Sequence, residues 1–319
     1  MKILIFGKGY IGGRCADAWK EKGHEVTFSN KMIQSMQDAL EELKVHEPEC
    51  VFNAAGVTGK PNVDWCEDNQ LETIQGNTIL PIYLAHACQE HGVHLLHIGS
   101  GCVFYDESPH EDGKWRENDH ANPSVVYSRA KYAADLALST LPNVAIGRIR
   151  MPIDWVPSPR NLIDKLANYP SIIDVNNSGT VIEDMIEVFE QLMEKRAEGI
   201  FHVTNPGKIK HRETMGFYKQ HVDPNWSAEW ISNEELVRRG LATKGRSNNE
   251  LATDRLNELG ITMRPIHEAM EDTMKKYAEA KKIEVRDEDA EEVVKVEVDP
   301  CCMPKDDCCG GGCEGCECS

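Results

Sequence analysis

Met1-Lys2-Ile3-Leu4-Ile5-Phe6-Gly7-Lys8-Gly9-Tyr10-Ile11-Gly12-Gly13 decides the fold of this 319-residue chain. A short apolar, β-branched run leads into three glycines at positions 7, 9 and 12, and a helix-compatible stretch from Arg14 to Lys22 follows. That order is strand, tight turn, helix. The glycines allow close approach of backbone to a pyrophosphate and of helix to strand, while the helix start offers unpaired N–H groups to phosphate oxygens. A dinucleotide-binding site is expected, with Gly7, Gly9, Tyr10, Ile11, Gly12 and Arg14 against the cofactor.

Downstream, Glu25-Val26-Thr27-Phe28 reads as the second strand and is followed by Ser29-Asn30-Lys31 rather than by an acidic residue. No carboxylate stands there to repel a ribose 2′-phosphate, and Lys31 and Arg14 are the cations expected near it. NADPH is therefore favoured, with NADH as the alternative. Strands are expected at residues 50–56, 94–100, 144–149 and 199–204, and helices at 77–90, 126–138, 161–168 and 183–195. Strands alternating with helices predict an α/β fold of Rossmann type, a doubly wound parallel sheet with ligands beyond the carboxyl ends of its strands. Residues 1–150 form the nucleotide-binding region. Residues 151–278 form a smaller C-terminal substrate lobe woven into the same fold, since no linker separates them. Residues 279–319 form an acidic, cysteine-rich tail read as disordered.

Tyr127-Ser128-Arg129-Ala130-Lys131 puts a phenol and an ammonium one helical turn apart, and Ser100-Gly101-Cys102 ends an apolar run before it. A Tyr-x-x-x-Lys pair alone arises by chance. Placed after a dinucleotide loop, it reads as a proton relay in which Lys131 favours the phenolate of Tyr127 and Ser100 bonds the substrate oxygen. Cys102 adds an ionisable thiol that plain ketone reduction does not need, although a free cysteine is also a common small core residue.

The glycine loop, Asn53-Ala54-Ala55-Gly56, Ser100 and Tyr127-x-x-x-Lys131 together resemble the extended short-chain dehydrogenase/reductases. Within them, residues 52–59, 62–67, 150–152 and 246–251 are similar to the dTDP-4-dehydrorhamnose reductases, above all to bifunctional 3,5-epimerase/4-reductases of nucleotide-linked L-rhamnose synthesis. The glycine loop is one residue shorter than that family's usual GxxGxxG. The resemblance covers residues 1 to about 275. It implies a nucleotide-sugar substrate, UDP- or dTDP-4-keto-6-deoxy-D-glucose. It also implies cofactor contacts from Asn53, Ala54, Ala55 and Lys131, and a catalytic set of Ser100, Tyr127 and Lys131. Related GDP-fucose synthases carry a reactive cysteine two residues after the catalytic serine, which points to Cys102 as one epimerising proton carrier. The family pattern points to Lys165 as the other, with a solvated helix lysine as the plain alternative. Substrate contacts fall to Thr58, Asn77, Arg160, Asn161, Arg246 and Asn249. Asn77 could equally be a structural cap, and Arg246 and Asn249 exposed loop residues. Reduction without epimerisation remains an alternative, as does a non-catalytic regulatory subunit like the methionine adenosyltransferase β subunit.

The net charge of −18 argues against nucleic acid as a partner. The absence of an apolar run near 18 residues, or of a signal peptide, argues for a soluble cytoplasmic protein. A homodimer is compatible with this reading. Residues 279–319 carry five Lys/Arg and thirteen Asp/Glu, so nearly half of the net charge lies there. Seven of the twelve cysteines fall in the last 19 residues. Cys313-x-x-Cys316-x-Cys318 has ligand-like spacing for Zn²⁺ or Cu(I), but thiol chemistry, lipid attachment or an inert tail fit as well, and no metal is assigned.

Overall fold

The computed structural model describes residues 1–295 apart from Pro61 and Asp106. Six parallel strands form the central sheet: β1 (Lys2–Phe6), β2 (Glu25–Phe28), β3 (Cys50–Asn53), β4 (His94–Ser100), β5 (Val144–Ile149) and β6 (Gly199–His202). Their spatial order is β2-β1-β3-β4-β5-β6. The order reverses between β1 and β3, which opens a crevice at their carboxyl ends.

The two-residue period of β1 explains the layers. Ile3 and Ile5 point to one face, against Trp19 of helix α1 (Tyr10–Glu21) and the Met185–Phe189–Leu192 stripe of a helix at Ile182–Glu194. Leu4 and Phe6 point to the other. There α2 (Met36–His46), α3 (Leu80–His91) and α4 (Val126–Leu138) pack on Leu43, Leu84, Ala134 and Leu138. Helix α2 was not foreseen, yet its start carries a sequence-level signature. Ser35 and Asp38 form a reciprocal capping box, each side chain bonding the other's backbone N–H.

The helix expected at 77–90 begins differently. A π-helical turn spans Gln75–Ile79 and passes directly into α3. Such insertions are rare and concentrate at functional sites.

The lobe is interleaved with the sheet. Residues 182–202 return to the central fold as a helix and the edge strand β6, leaving residues 152–181 and 203–280 to build the lobe around Ile153, Ile163, Ile209, Met270 and Tyr277. The two-stranded pair of 114–115 with 250–251 ties it to the region before α4. The last described element crosses residue 278, after which the tail is expected to begin. One helix runs Ile266–Lys295. Its buried Ile266, Met270, Met274 and Tyr277 anchor it, and residues 279–295 contain neither Gly nor Pro to stop it. Cys313, Cys316 and Cys318 lie outside the described residues. Among the described residues no helix is long and apolar enough to cross a membrane, and no cluster of metal-ligating side chains occurs.

Candidate active site

The glycine loop closes onto the loop that follows β3. Gly7 has φ +100°, and a Cβ there would lie 2.4 Å from the Ala55 nitrogen and 2.6 Å from the Ala54 carbonyl carbon. A Cβ on Gly12 would lie 2.1 Å from the Gly7 carbonyl oxygen. Only glycine permits this packing at either position. Gly9 is different: nothing lies within 4 Å of its Cβ position, and as N-cap of α1 it provides no side chain to the first turn. The start of the helix thus has no capping side chain and open space beside its N-cap, an arrangement that fits a pyrophosphate. Tyr10 and Ile11 begin that turn, half-buried. Asn53 secures the opposite side, accepting from Ala55 N at 3.0 Å while its amide reaches His97 Nδ1 at 3.0 Å.

The expected phosphate cations are otherwise engaged. Arg14 donates through Nε to Asp154 at 2.6 Å and through Nη2 at 3.2 Å, and stacks on Trp155. Lys31 pairs with Asp38 at 2.9 Å and Glu41 at 2.8 Å. Close carboxylates already satisfy both charges, which removes the geometric basis for assigning a 2′-phosphate to them. A carboxylate is also present near the end of β2 after all: Glu42, from α2, accepts from Ser29 Oγ at 2.6 Å. A search confined to residues directly after the strand could not see it.

Ser100 ends β4 and caps a single 3₁₀ turn, Gly101–Val103, its Oγ accepting from Cys102 N at 3.2 Å. Helix α4 brings Tyr127 and Lys131 alongside. It is pinned to the turn by Ser128, which donates to the Cys102 carbonyl at 2.7 Å, and its own start is capped by Glu67, which accepts from Val126 N at 2.7 Å. Burial and the neighbouring Cys102 push the Tyr127 phenol above its ordinary value, and the Ser100 hydroxyl bond only partly opposes them. Lys131 is anchored on the strand backbone. Its Nζ donates to the Ile98 carbonyl at 3.0 Å, and burial lowers its pKa to about 8, with Asp135 opposing. Tyr127 is accordingly held as a protonated phenol, the form a proton donor needs.

Asn77, in the π turn, clamps the loop after β3: it accepts from Val57 N at 3.1 Å and donates to Val57 O at 2.8 Å. Gly56 lies so near that a Cβ there would be 2.9 Å from Asn77 Oδ1 and 3.4 Å from Lys131 Nζ. The π turn therefore sets the distance between that loop and the lysine.

The lobe residues divide. Arg160 reaches across to Thr58, donating to its Oγ1 at 3.2 Å. Lys165 is half-buried in the Leu162–Asn168 helix and lines a cavity of about 430 Å³ with Pro157, Ser158, Asp164 and Tyr169, but none of Ser100, Cys102 and Tyr127 lines it. Burial and the Arg160 charge lower its pKa. Arg246 is bound bidentately by Asp64 at 2.9 and 2.8 Å. Asn249 is buried, donating to Gly101 O at 3.2 Å, Phe104 O at 2.9 Å and Ser247 Oγ at 2.9 Å, so it braces the serine turn.

Asn161 corrects the expectation of a substrate contact. Its carbonyl oxygen accepts from Asp154 N and Ile163 N, both at 3.2 Å, and its amide donates to Asp154 O at 2.7 Å and Val156 O at 3.1 Å. Two acceptances and two donations exhaust an asparagine. The side chain is a helix cap, fully buried. Asp64 and Glu67 join this wall of the site although nothing in the 62–67 segment by itself singles them out. Their charge complementarity to Arg246 and Lys244 was the available signal, since Lys244 pairs with Glu67 at 3.1 Å.

The family profile described as RmlD substrate binding domain matches residues 1–279. A bifunctional dTDP-4-dehydrorhamnose 3,5-epimerase/dTDP-4-dehydrorhamnose reductase of Arabidopsis thaliana is 35% identical over 260 residues, 80% of this chain and 86% of that protein. A trifunctional UDP-glucose 4,6-dehydratase/UDP-4-keto-6-deoxy-D-glucose 3,5-epimerase/UDP-4-keto-L-rhamnose-reductase of the same plant is 32% identical over 81% of this chain, which spans only 39% of that protein. The crystal structure of the L780 UDP-rhamnose synthase from Acanthamoeba polyphaga mimivirus superposes with a TM-score of 0.81 at 30% identity, covering 86% of this chain and 99% of that one. The matched region takes in the glycine cradle, the serine turn and the tyrosine-lysine helix: the chain belongs to the RmlD family of extended short-chain dehydrogenase/reductases and is an enzyme that uses a nicotinamide cofactor.

Proposed function

We propose that this enzyme is an NADPH-dependent 3,5-epimerase/4-reductase that converts UDP- or dTDP-4-keto-6-deoxy-D-glucose to the nucleotide-linked L-rhamnose. The observation that carries the reading is the Ser100–Cys102 turn, which sets a half-buried thiol beside Tyr127 at the reductase centre. A ketone reductase has no use for that thiol. Epimerisation does, because the C4 carbonyl acidifies the protons on C3 and C5 and each inversion needs one group to take a proton and another to return it from the opposite face.

The Ser100 hydroxyl and the protonated phenol of Tyr127 hold the C4 oxygen as it gains negative charge in the enolate. Cys102 exchanges the proton on one face. Lys165 is assigned the other: no hydrogen bond or ion pair engages its ammonium among the described residues, and its lowered pKa eases proton release. A bound nicotinamide would supply the hydride that reduces C4. Tyr127 donates its proton to the oxygen, and Lys131, anchored on Ile98, bonds the cofactor ribose. Arg160 and Thr58, bridged across the loops, contact the substrate together with Arg246 if Asp64 yields it. Cytoplasmic location and a homodimeric assembly complete the reading.

The test supplies purified protein with each un-epimerised 4-keto sugar nucleotide and NADPH or NADH, and identifies products by mass spectrometry and NMR. Rhamnose nucleotide is expected with NADPH. Turnover of pre-epimerised substrate alone would reduce the assignment to a 4-reductase, and no turnover of either would overturn it.

A further inference from the structure

Arg150, the residue directly after β5, is 2% exposed and makes contacts unlike those of the other buried arginine, Arg148. Its Nη1 lies 3.4 Å from Cys102 Sγ, 3.1 Å from Ser247 Oγ and 3.5 Å from the Gly101 carbonyl. Its Nη2 donates to the Ser247 carbonyl at 2.5 Å and to Asn177 Oδ1. Every one of these oxygen partners is neutral, and among the described residues no carboxylate pairs with the guanidinium. Nε is buried with no partner at all.

A guanidinium does not give up its proton in a protein, so a buried one with no anion beside it is electrostatically incomplete. Besides Cys102 itself, Tyr105, Tyr127 and His211 interact with Arg150 or with the thiol beside it. Tyr105 and Tyr127 are pushed upward by burial and stay neutral near pH 7. His211 is pushed downward by burial and by Arg150 itself, and is neutral too. Cys102 remains. Its sulfur is within contact of the charge, on a turn that Ser100, Ser128 and Asn249 hold in place.

We propose that Arg150 is the counter-ion that holds Cys102 as a thiolate in the resting enzyme. It is a positioning residue, and its use in catalysis rests on the proton-carrier reading of Cys102 given above. The thiolate takes a proton from the carbon beside the ketone: the C–H bond breaks, an S–H bond forms, and the electron pair moves to the C4 oxygen held by Ser100 and Tyr127. Arg150 exchanges no proton and keeps its charge throughout. Lys165 returns a proton to the opposite face of that carbon, and the guanidinium, now facing a neutral thiol, favours release of the Cys102 proton to solvent, which resets the site.

The experiment is the pH dependence of iodoacetamide alkylation at Cys102, followed by mass spectrometry of its peptide in the full-length protein, Arg150→Met and Arg150→Lys. Wild type is expected to titrate at least one pH unit below the roughly 8.5 of a free thiol, equivalent to about tenfold more thiolate at neutral pH. Arg150→Met should raise that midpoint by more than one unit. Arg150→Lys, which keeps the charge, should return most of the shift. A wild-type midpoint near 8.5 overturns the proposal even if Arg150→Met fails to fold, and so does an unchanged midpoint in a folded Arg150→Met. The catalytic reading fails separately: undiminished deuterium exchange at C3 and C5 in Cys102→Ser removes the thiol from epimerisation while leaving a depressed midpoint standing.

Discussion

The sheet side and the lobe side of this site are built on different principles. On the sheet side, Ser100, Tyr127 and Lys131 stand on regular elements, and their polar atoms are aimed by backbone: Lys131 at the Ile98 carbonyl, Ser100 at the turn it caps. On the lobe side, Arg246 and Asn161 stand in loops or at a helix end, and each is committed to partners within the protein. The difference teaches that positions aligned with a family's substrate contacts can serve to build the walls. Substitution on the sheet side should change rates, whereas substitution on the lobe side should first change stability.

The largest effect expected is at Tyr127. Tyr127→Phe removes the proton donor but keeps the ring, so reduction of pre-epimerised substrate should fall about 10²–10⁴-fold with melting temperature nearly unchanged. Retained reduction would make the tyrosine structural and erase the contrast between the two walls. pH adds a second reading of the same wall. Lys131 carries its charge below about pH 8 and loses it above, so cofactor affinity should weaken as pH rises through that value, and Lys131→Met should abolish that limb. In stability the sign runs the other way. Between about 8 and the unfolded lysine value of roughly 10.4 the unfolded chain binds more protons, so the lysine's contribution to stability becomes more favourable with rising pH there.

Gly12→Ala comes next and strains the comparison from the cofactor side. Its Cβ would sit 2.1 Å from the Gly7 carbonyl, backbone that cannot swing away, so the loop must open. A loss of about 1–3 kcal/mol in unfolding free energy is expected, as for overpacking generally, together with weaker nicotinamide binding by fluorescence titration. Gly9→Ala, with open space at the same test position, should leave stability nearly unchanged.

How much of this was legible follows from what each residue depends on. The turn from Gly7 to Gly12, the strand ending at Ser100 and the helix 126–138 depend on local period and on glycine, so the residues alone place them. The roles of Arg14, Arg246 and Asn161 depend on partners 140, 182 and 7 residues away, respectively. No local pattern carries such information. Arg150 was legible as part of a motif and illegible as a charge, because what distinguishes it from Arg148 is tertiary. Arg148, equally buried, has Asp135 at 2.8 Å, whereas Arg150 has a thiol. Asn161 gives the lobe its own prediction. Asn161→Ala removes the cap of the 162–168 helix and orphans buried groups of Asp154 and Val156, and should lower unfolding free energy by about 1–2 kcal/mol in denaturant melts. Activity at full folding should be retained, since the side chain has no bond left to offer substrate.

The smallest effect expected lies at the cofactor's outer edge. Lys31 follows β2 where a 2′-phosphate contact would be sought, but Asp38 and Glu41 hold its ammonium from helix α2. To bind phosphate it would have to leave two carboxylates for one ligand, and those carboxylates would then face the phosphate themselves. Lys31→Gln should therefore change the ratio of NADPH to NADH kcat/KM by less than about twofold, the scale of an exposed pair. Glu42→Gln is the sharper probe of the same edge. Its carboxylate accepts from Ser29 just beyond the end of β2, and neutralising it should favour NADPH. A tenfold loss of NADPH preference in Lys31→Gln would show that the lysine abandons its carboxylates when the cofactor binds, and would give this side of the site the mobility that the sheet side lacks.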